Sequence, residues 1–191
     1  LEERYKIRPG YILYLGTLQP NKNIEGLCAA YHELRRDGFT GQLVLAGKEG
    51  WLFNEMWDRI ERKGHDEGVL RAGFVEEEDV PRLYGNCDCF ALVSLLEGFG
   101  IPTLEAMACG APVVVAESCS LPEVAGDAAV IVDPYDPNSI AEGITKAASR
   151  GDFRNQLSKR GIERAKNFSW QKSAKAHADV YRKALQEAGK L

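Results

Sequence analysis

The sequence predicts an α/β domain in which helices flank both faces of a parallel sheet. Short runs rich in branched and aromatic residues alternate with longer stretches that repeat apolar residues three and four apart, the order of successive strand-helix units. The runs Cys89 to Val93 and Val113 to Ala116 are apolar throughout, as strands become when both sheet faces are covered. With 191 residues and 45% hydrophobic content, the chain can bury one ordinary globular core.

Tyr11 to Leu15 reads as the first strand and Gln42 to Ala46 as the second. Between them, Asn23 to Arg36 sets Ile24, Leu27, Ala30, Tyr31 and Leu34 on one helix face, which must pack on the sheet. Phe53 to Lys63 is a second amphipathic helix, and Val69 to Ala72 is a short strand leading into Gly73. Glu76, Glu77, Glu78 and Asp79 are expected to be a hydrated acidic start for a helix around Val80 to Tyr84. After the apolar strand at Cys89, a helix with Pro102 in its first turn runs to about Cys109, with Gly110 as its stop. Val113 to Ala116 and Ala129 to Val132 supply further strands, and Asn138 to Ala148, Asp152 to Lys166 and Trp170 to Glu187 further helices. Ser169 is a natural N-cap for the last one. Its stripe of Trp170, Ala174, Ala178, Tyr181, Leu185 and Ala188 should dock, making 169–191 a helix packed on a single domain of 1–191.

Charge narrows the partners. A formal net charge of -4 gives no general attraction to nucleic acid or anionic lipid, so any anion must be bound locally. Thr145 to Lys175 departs from this, with nine Lys/Arg against two acids; it reads as a solvated face, with peripheral membrane contact as the sharper alternative. Five cysteines in apolar or helical contexts suggest buried thiols of a reducing compartment, and the Cys87-x-Cys89 pair lacks the spacing of a zinc site. His32, His65 and His177 have no partners at triad or zinc spacing. No apolar run reaches the roughly 18 residues of a membrane helix, so the expected location is the cytoplasm. The start, LEERYKIRPG, has no initiator Met and reads as a cut from a longer protein.

The chemistry concentrates in SLLEGFGIPTLEAMACGAPVVV, Ser94 to Val115, where Glu97 and Glu105 stand eight residues apart around a glycine turn. Gly98 and Gly100 let backbone approach a ligand closely, and the amides of Phe99, Gly100 and Ile101 face outward at the positive end of a helix, which makes an anion site. Ligands of parallel sheets sit beyond the carboxyl ends of the strands, where Glu97 lies. Glu105, about three residues into the helix, can cap backbone or accept from a vicinal diol. Near the N-terminus, Lys22 follows the first strand in GTLQPNKN; by spacing alone it reads as a solvated loop cation, with the sharper alternative that, in a chain with no D-x-D pair to chelate a metal, it neutralises a leaving diphosphate. Two acids flanking a phosphate cradle describe a holder for a nucleotide sugar.

The segments GTLQPNKN, LVLAG, RAGFV, EGFGIPTLEAMACGAPVV and LPEVAGDAAVIVDPYDP resemble the carboxyl-terminal, donor-binding domain of family-four (group 1) retaining glycosyltransferases of GT-B fold, from about Tyr11 to Tyr181. The resemblance implies a Rossmann-like three-layer domain and a donor that is a GDP- or UDP-hexose, with no cofactor and no metal. It implies that Glu97 meets the donor sugar, that Gly98, Phe99, Gly100 and Ile101 line the diphosphate, and that Glu105 holds the ribose. Lys22 then contacts phosphate, and the base lies against Gly73-Phe74-Val75. Relatives often have Arg where this chain has Thr17, so one cation fewer faces the diphosphate; a mannosyltransferase-like branch shares the Gly-Thr-Leu form. The acceptor half would be an N-terminal domain of the same protein, without which the domain turns over weakly. Two alternatives stay open: a non-catalytic nucleotide-binding module and a nucleotide-sugar epimerase of similar fold. An NAD-dependent oxidoreductase is disfavoured, because the first strand-helix turn lacks G-x-G-x-x-G.

Overall fold

The structure, a computed structural model, describes residues 1–189. Six strands, β1 (Tyr11–Leu15), β2 (Gln42–Ala46), β3 (Val69–Gly73), β4 (Cys89–Leu92), β5 (Val113–Ala116) and β6 (Val130–Val132), form one sheet in the order β3-β2-β1-β4-β5-β6. Every pairing is parallel, with Leu13 opposite Val44 on one side and opposite Phe90 on the other. The apolar runs behave as their composition requires: all residues of β4 and β5 are buried. A fully buried side chain such as Phe90 contributes about 1.5–3 kcal/mol relative to exposure.

The helices are α1 (Glu2–Tyr5), α2 (Ile24–Arg36), α3 (Phe53–Arg62), α4 (Val80–Asn86), α5 (Ile101–Ala108), α6 (Leu121–Ala125), α7 (Pro137–Ala148), α8 (Asp152–Ala165) and α9 (Trp170–Glu187). The chain steps outward from β1 to β3, then returns to the far side of β1 and steps the other way. Right-handed crossovers therefore put α2 and α3 on one face and α5 and α6 on the other. Helix α7 joins the first layer against α2, and α8 joins the second against α5. Strand and helix boundaries agree with the sequence reading to within two residues. The short α1, α6 and the 3-10 turn Pro20–Lys22 went unpredicted, having too few residues to show a period.

Two expectations need correction. The acidic run is not uniformly hydrated: Glu76, Glu77 and Glu78 are exposed, but Asp79 is buried, accepting from Arg4 Nη1 at 2.7 Å and from the Tyr5 hydroxyl at 2.8 Å. Helix α1 thus fastens the N-terminal segment to the start of α4. The second correction concerns α9, which Ser169 caps as expected by accepting from the Lys172 amide at 3.2 Å. None of its residues is buried, and Trp170 remains 77% and Tyr181 65% exposed. Only its first turn, at Trp170, Lys172 and Ser173, faces α5, across a cavity, and the rest of the apolar stripe stays exposed. The part of the expected C-terminal helix at 190–191 lies outside the described residues.

Candidate functional site

The strand order turns over between β1 and β4, and at such a switch point the loops leaving neighbouring strands diverge to opposite faces and open a crevice. Here the two loops are tied together across it. The carbonyl of Asn21 accepts from the amides of Leu95 and Leu96 at 2.9 and 3.4 Å. Asn23, in the left-handed region at φ 57°, donates its side-chain amide to the carbonyls of Val93 at 3.1 Å and Pro134 at 2.7 Å. An Asn tolerates that conformation better than most residues with a Cβ.

This stapling brings two predicted residues together. Lys22 Nζ donates to Glu97 Oε1 at 2.7 Å, with the side chains only 18% and 12% exposed. Ser94, fully buried at the end of β4, donates its hydroxyl to the same Oε1 at 3.0 Å, and the Ser118 hydroxyl holds the Ser94 carbonyl at 2.7 Å. No donor among the described residues reaches Glu97 Oε2. The carboxylate is thus anchored by one oxygen and has the other available.

Beside it, the chain turns into α5. Gly100 is the N-cap, at φ 86°, a left-handed conformation that favours glycine, and a Cβ there would meet Leu121 Cδ2 at 2.5 Å and require that side chain to shift. The amides of Gly98, Phe99, Gly100 and Ile101 donate to no acceptor among the described residues. Four consecutive amides that lead into a helix are thus left without a protein acceptor, as an anion site at a helix start requires. Glu105 is the fifth residue of α5, beyond capping reach, which corrects its expected position nearer the helix start. Its Oε2 accepts from the Tyr84 hydroxyl at 3.0 Å, and its Oε1 has no donor among the described residues.

Phe99, Ile101 and Glu105 also line a cavity of about 670 Å³, walled opposite by Phe168, Trp170 and Lys172, with Phe99 edge-on to Phe168. Lys22 and Glu97 lie outside that cavity, so the predicted residues fall into two groups on either side of the α5 start. Val75 is buried after β3, while Phe74 is exposed under Lys48, whose Nζ is 5.2 Å from the ring centre. The end of β3 is three strands from that of β4, about 14 Å at the usual spacing, so only an extended ligand can reach both. Thr17 is exposed, with its carbonyl held by the Tyr14 hydroxyl at 3.0 Å.

Sequence reasoning missed Ser94, Tyr84 and Asn23. Ser94 had a signal, a hydroxyl closing an apolar strand; Tyr84 had none, since an aromatic on a helix reads as core. Burial pushes the thiol of Cys87 up to about 12 and also raises those of Cys28 and Cys89, so none of the three is a thiolate nucleophile at neutral pH. No group of three or more His, Cys, Asp or Glu among the described residues is placed to hold a metal ion.

Residues 3–164 match the family described as glycosyl transferases group 1. The O-antigen chain mannosyltransferase B of Escherichia coli is 41% identical over 91% of this chain, which spans 46% of that relative's length. Sucrose-phosphate synthase from Thermosynechococcus elongatus superposes with a TM-score of 0.81 at 24% identity, over 97% of this chain and 48% of that one. The Anabaena protein HepE, in a complex with UDP and glucose, gives a TM-score of 0.81 at 21% identity, over 95% and 51%. The chain thus spans about half the length of its relatives and shares their Rossmann-like, GT-B fold. It belongs to the group 1 glycosyl transferases.

Proposed function

We propose that this chain is the donor-binding half of a retaining, metal-independent glycosyltransferase. It would move a hexose from a nucleotide diphosphate sugar to an acceptor held by an N-terminal domain. The observation that carries this reading is the meeting of Lys22 and Glu97 at the switch point, beside the free amides that open α5. A diphosphate resting on those amides places negative charge next to Lys22. As the ammonium turns to phosphate, its hold on Glu97 loosens, and the carboxylate becomes free to accept from sugar hydroxyls. Glu97 also supplies negative charge where a glycosyl centre turns positive as its bond to the diphosphate stretches. The leaving diphosphate, stabilised by Lys22 and the helix start, can then take the acceptor proton on the same face. No residue of the chain needs to form a covalent intermediate.

Mannose is the favoured hexose, on the Gly16-Thr17-Leu18 form and the named activity of the Escherichia coli relative. The base, guanine or uracil, would lie against Gly73-Phe74-Val75. In the full-length protein, peripheral contact with anionic lipid would fall to Arg150, Lys159 and Lys175. Most other cations of that run are already used inside the fold: Arg164, for instance, donates to the carbonyls of Val124 and Glu123. The test is calorimetry with GDP- and UDP-hexoses, then a transfer assay on the full-length protein with the product anomer read by NMR. Binding without transfer would favour a regulatory nucleotide module, release of free epimerised sugar an epimerase, and an inverted anomer would sink the retaining mechanism.

A further inference from the structure

The Glu105 carboxylate is exposed on α5, where a flexible side chain would sample several rotamers and lose entropy on gripping a ligand. One contact prevents this. Tyr84 reaches it from α4, a neighbouring helix: the phenol is 1% exposed, its ring stands edge-on to Phe90 at 5.3 Å, and its hydroxyl donates to Glu105 Oε2 at 3.0 Å. We propose that Tyr84 is the positioning residue for donor binding, anchoring one oxygen of Glu105 so that the other is held ready for the two hydroxyls of a ribose. This rests on the reading of Glu105 as the ribose acceptor.

Three features support it. The anchored oxygen is Oε2, and Oε1 has no donor among the described residues, so the anchor does not use up the acceptor the ribose needs. The phenol cannot change role with pH, because burial and the adjacent Glu105 carboxylate push it far above its ordinary range and keep it a donor. Finally, Tyr84 stands on an immobilised element. The Tyr11 hydroxyl donates to the carbonyl of Leu83 at 2.6 Å, and Asp79, the residue before α4, is latched by Arg4 and Tyr5. Since α4 follows the turn Gly73-Phe74-Val75, the element that would meet the base also aims the group that would meet the ribose.

A buried tyrosine hydroxyl needs some acceptor in any case, so stability alone cannot test the idea. The discriminating readout compares GDP or UDP, whichever the full-length protein binds more tightly, with its 2′,3′-dideoxy counterpart. Tyr84→Phe should weaken the ribonucleotide roughly threefold to tenfold, the size of a side-chain ordering cost, and leave the dideoxy form unchanged. In a Glu105→Ala background, Tyr84→Phe should have no further effect. Equal losses for the two nucleotides, or no loss for either, would overturn the positioning role. If instead Glu105→Ala does not narrow the gap between ribo and dideoxy forms, the ribose reading itself fails and takes this proposal with it. Should Tyr84→Phe not fold, Tyr84→Met fills similar space without a hydroxyl and serves the same comparison.

Discussion

Glu97 and Glu105 are the same residue type on either side of one helix start, yet the fold holds them by opposite means. Glu97 is largely buried, with an ammonium and a serine hydroxyl on one oxygen. Glu105 is exposed, steadied by a single neutral phenol. A carboxylate that must stay charged in a closed crevice requires a cation, because an unpaired buried charge costs several kcal/mol. A carboxylate that only grips hydroxyls at the surface requires orientation, which a neutral donor supplies without competing electrostatically for the ligand. On the proposed reading, this difference in partners separates the group that would meet a developing charge from the group that would recognise hydroxyls.

If that separation is right, Glu97→Gln should produce the largest effect. The amide oxygen can still accept from Ser94 and Lys22, but the negative charge is gone. Turnover by the full-length protein is expected to fall about 10²- to 10³-fold, with nucleotide affinity nearly kept. A fall in affinity that matches the fall in turnover would mean that Glu97 serves binding and not the developing charge. Next comes Lys22→Ala, which should weaken nucleoside diphosphates by about 1.5–3 kcal/mol, the usual range for a charged hydrogen bond, while leaving the parent nucleoside unaffected. Calorimetry with GDP and guanosine, or UDP and uridine, reads the difference; equal losses would mean that Lys22 merely props Glu97. Glu105→Ala should cost about 1 to 3 kcal/mol of nucleotide affinity with turnover at saturation largely kept. Unchanged affinity in a folded variant would remove it from the site.

What the sequence revealed follows the range of its signals. Strands β4 and β5 were legible because burial on both faces makes a run apolar at every position, and α2 because five apolar residues keep one face. The two acids and the glycine turn were legible because their types are anomalous between apolar runs. The partners of the acids were not. Lys22 could be placed beyond β1, but its meeting with Glu97 depends on the Asn21 and Asn23 bonds across 70 and more residues. Ser94 and Tyr84 are ordinary in composition, and only tertiary packing gives them a role. The stripe on α9 shows the complementary limit: apolar periodicity says that a face is meant to be covered, without saying by what.

A third carboxylate offers the smallest effect and a control on the comparison, since Asp79 combines both kinds of partner at a place with no proposed ligand. The Tyr5 hydroxyl first, and then Arg4, hold its carboxyl below the usual range. A carboxylate with a depressed value stabilises the folded state above its unfolded value, near 3.9, and loses that contribution as pH falls through the folded one. Thermal unfolding measured from pH 7 down to pH 2 should therefore drop more steeply in the parent protein than in Asp79→Asn once the pH falls below about 4, the two curves approaching each other toward the acid end. Parallel curves would mean that the latch between α1 and α4 carries no net stability. In that case the hydroxyl and guanidinium contacts only offset the cost of desolvating Asp79, and the inference that a paired carboxylate is held for its charge would have to rest on Glu97 alone.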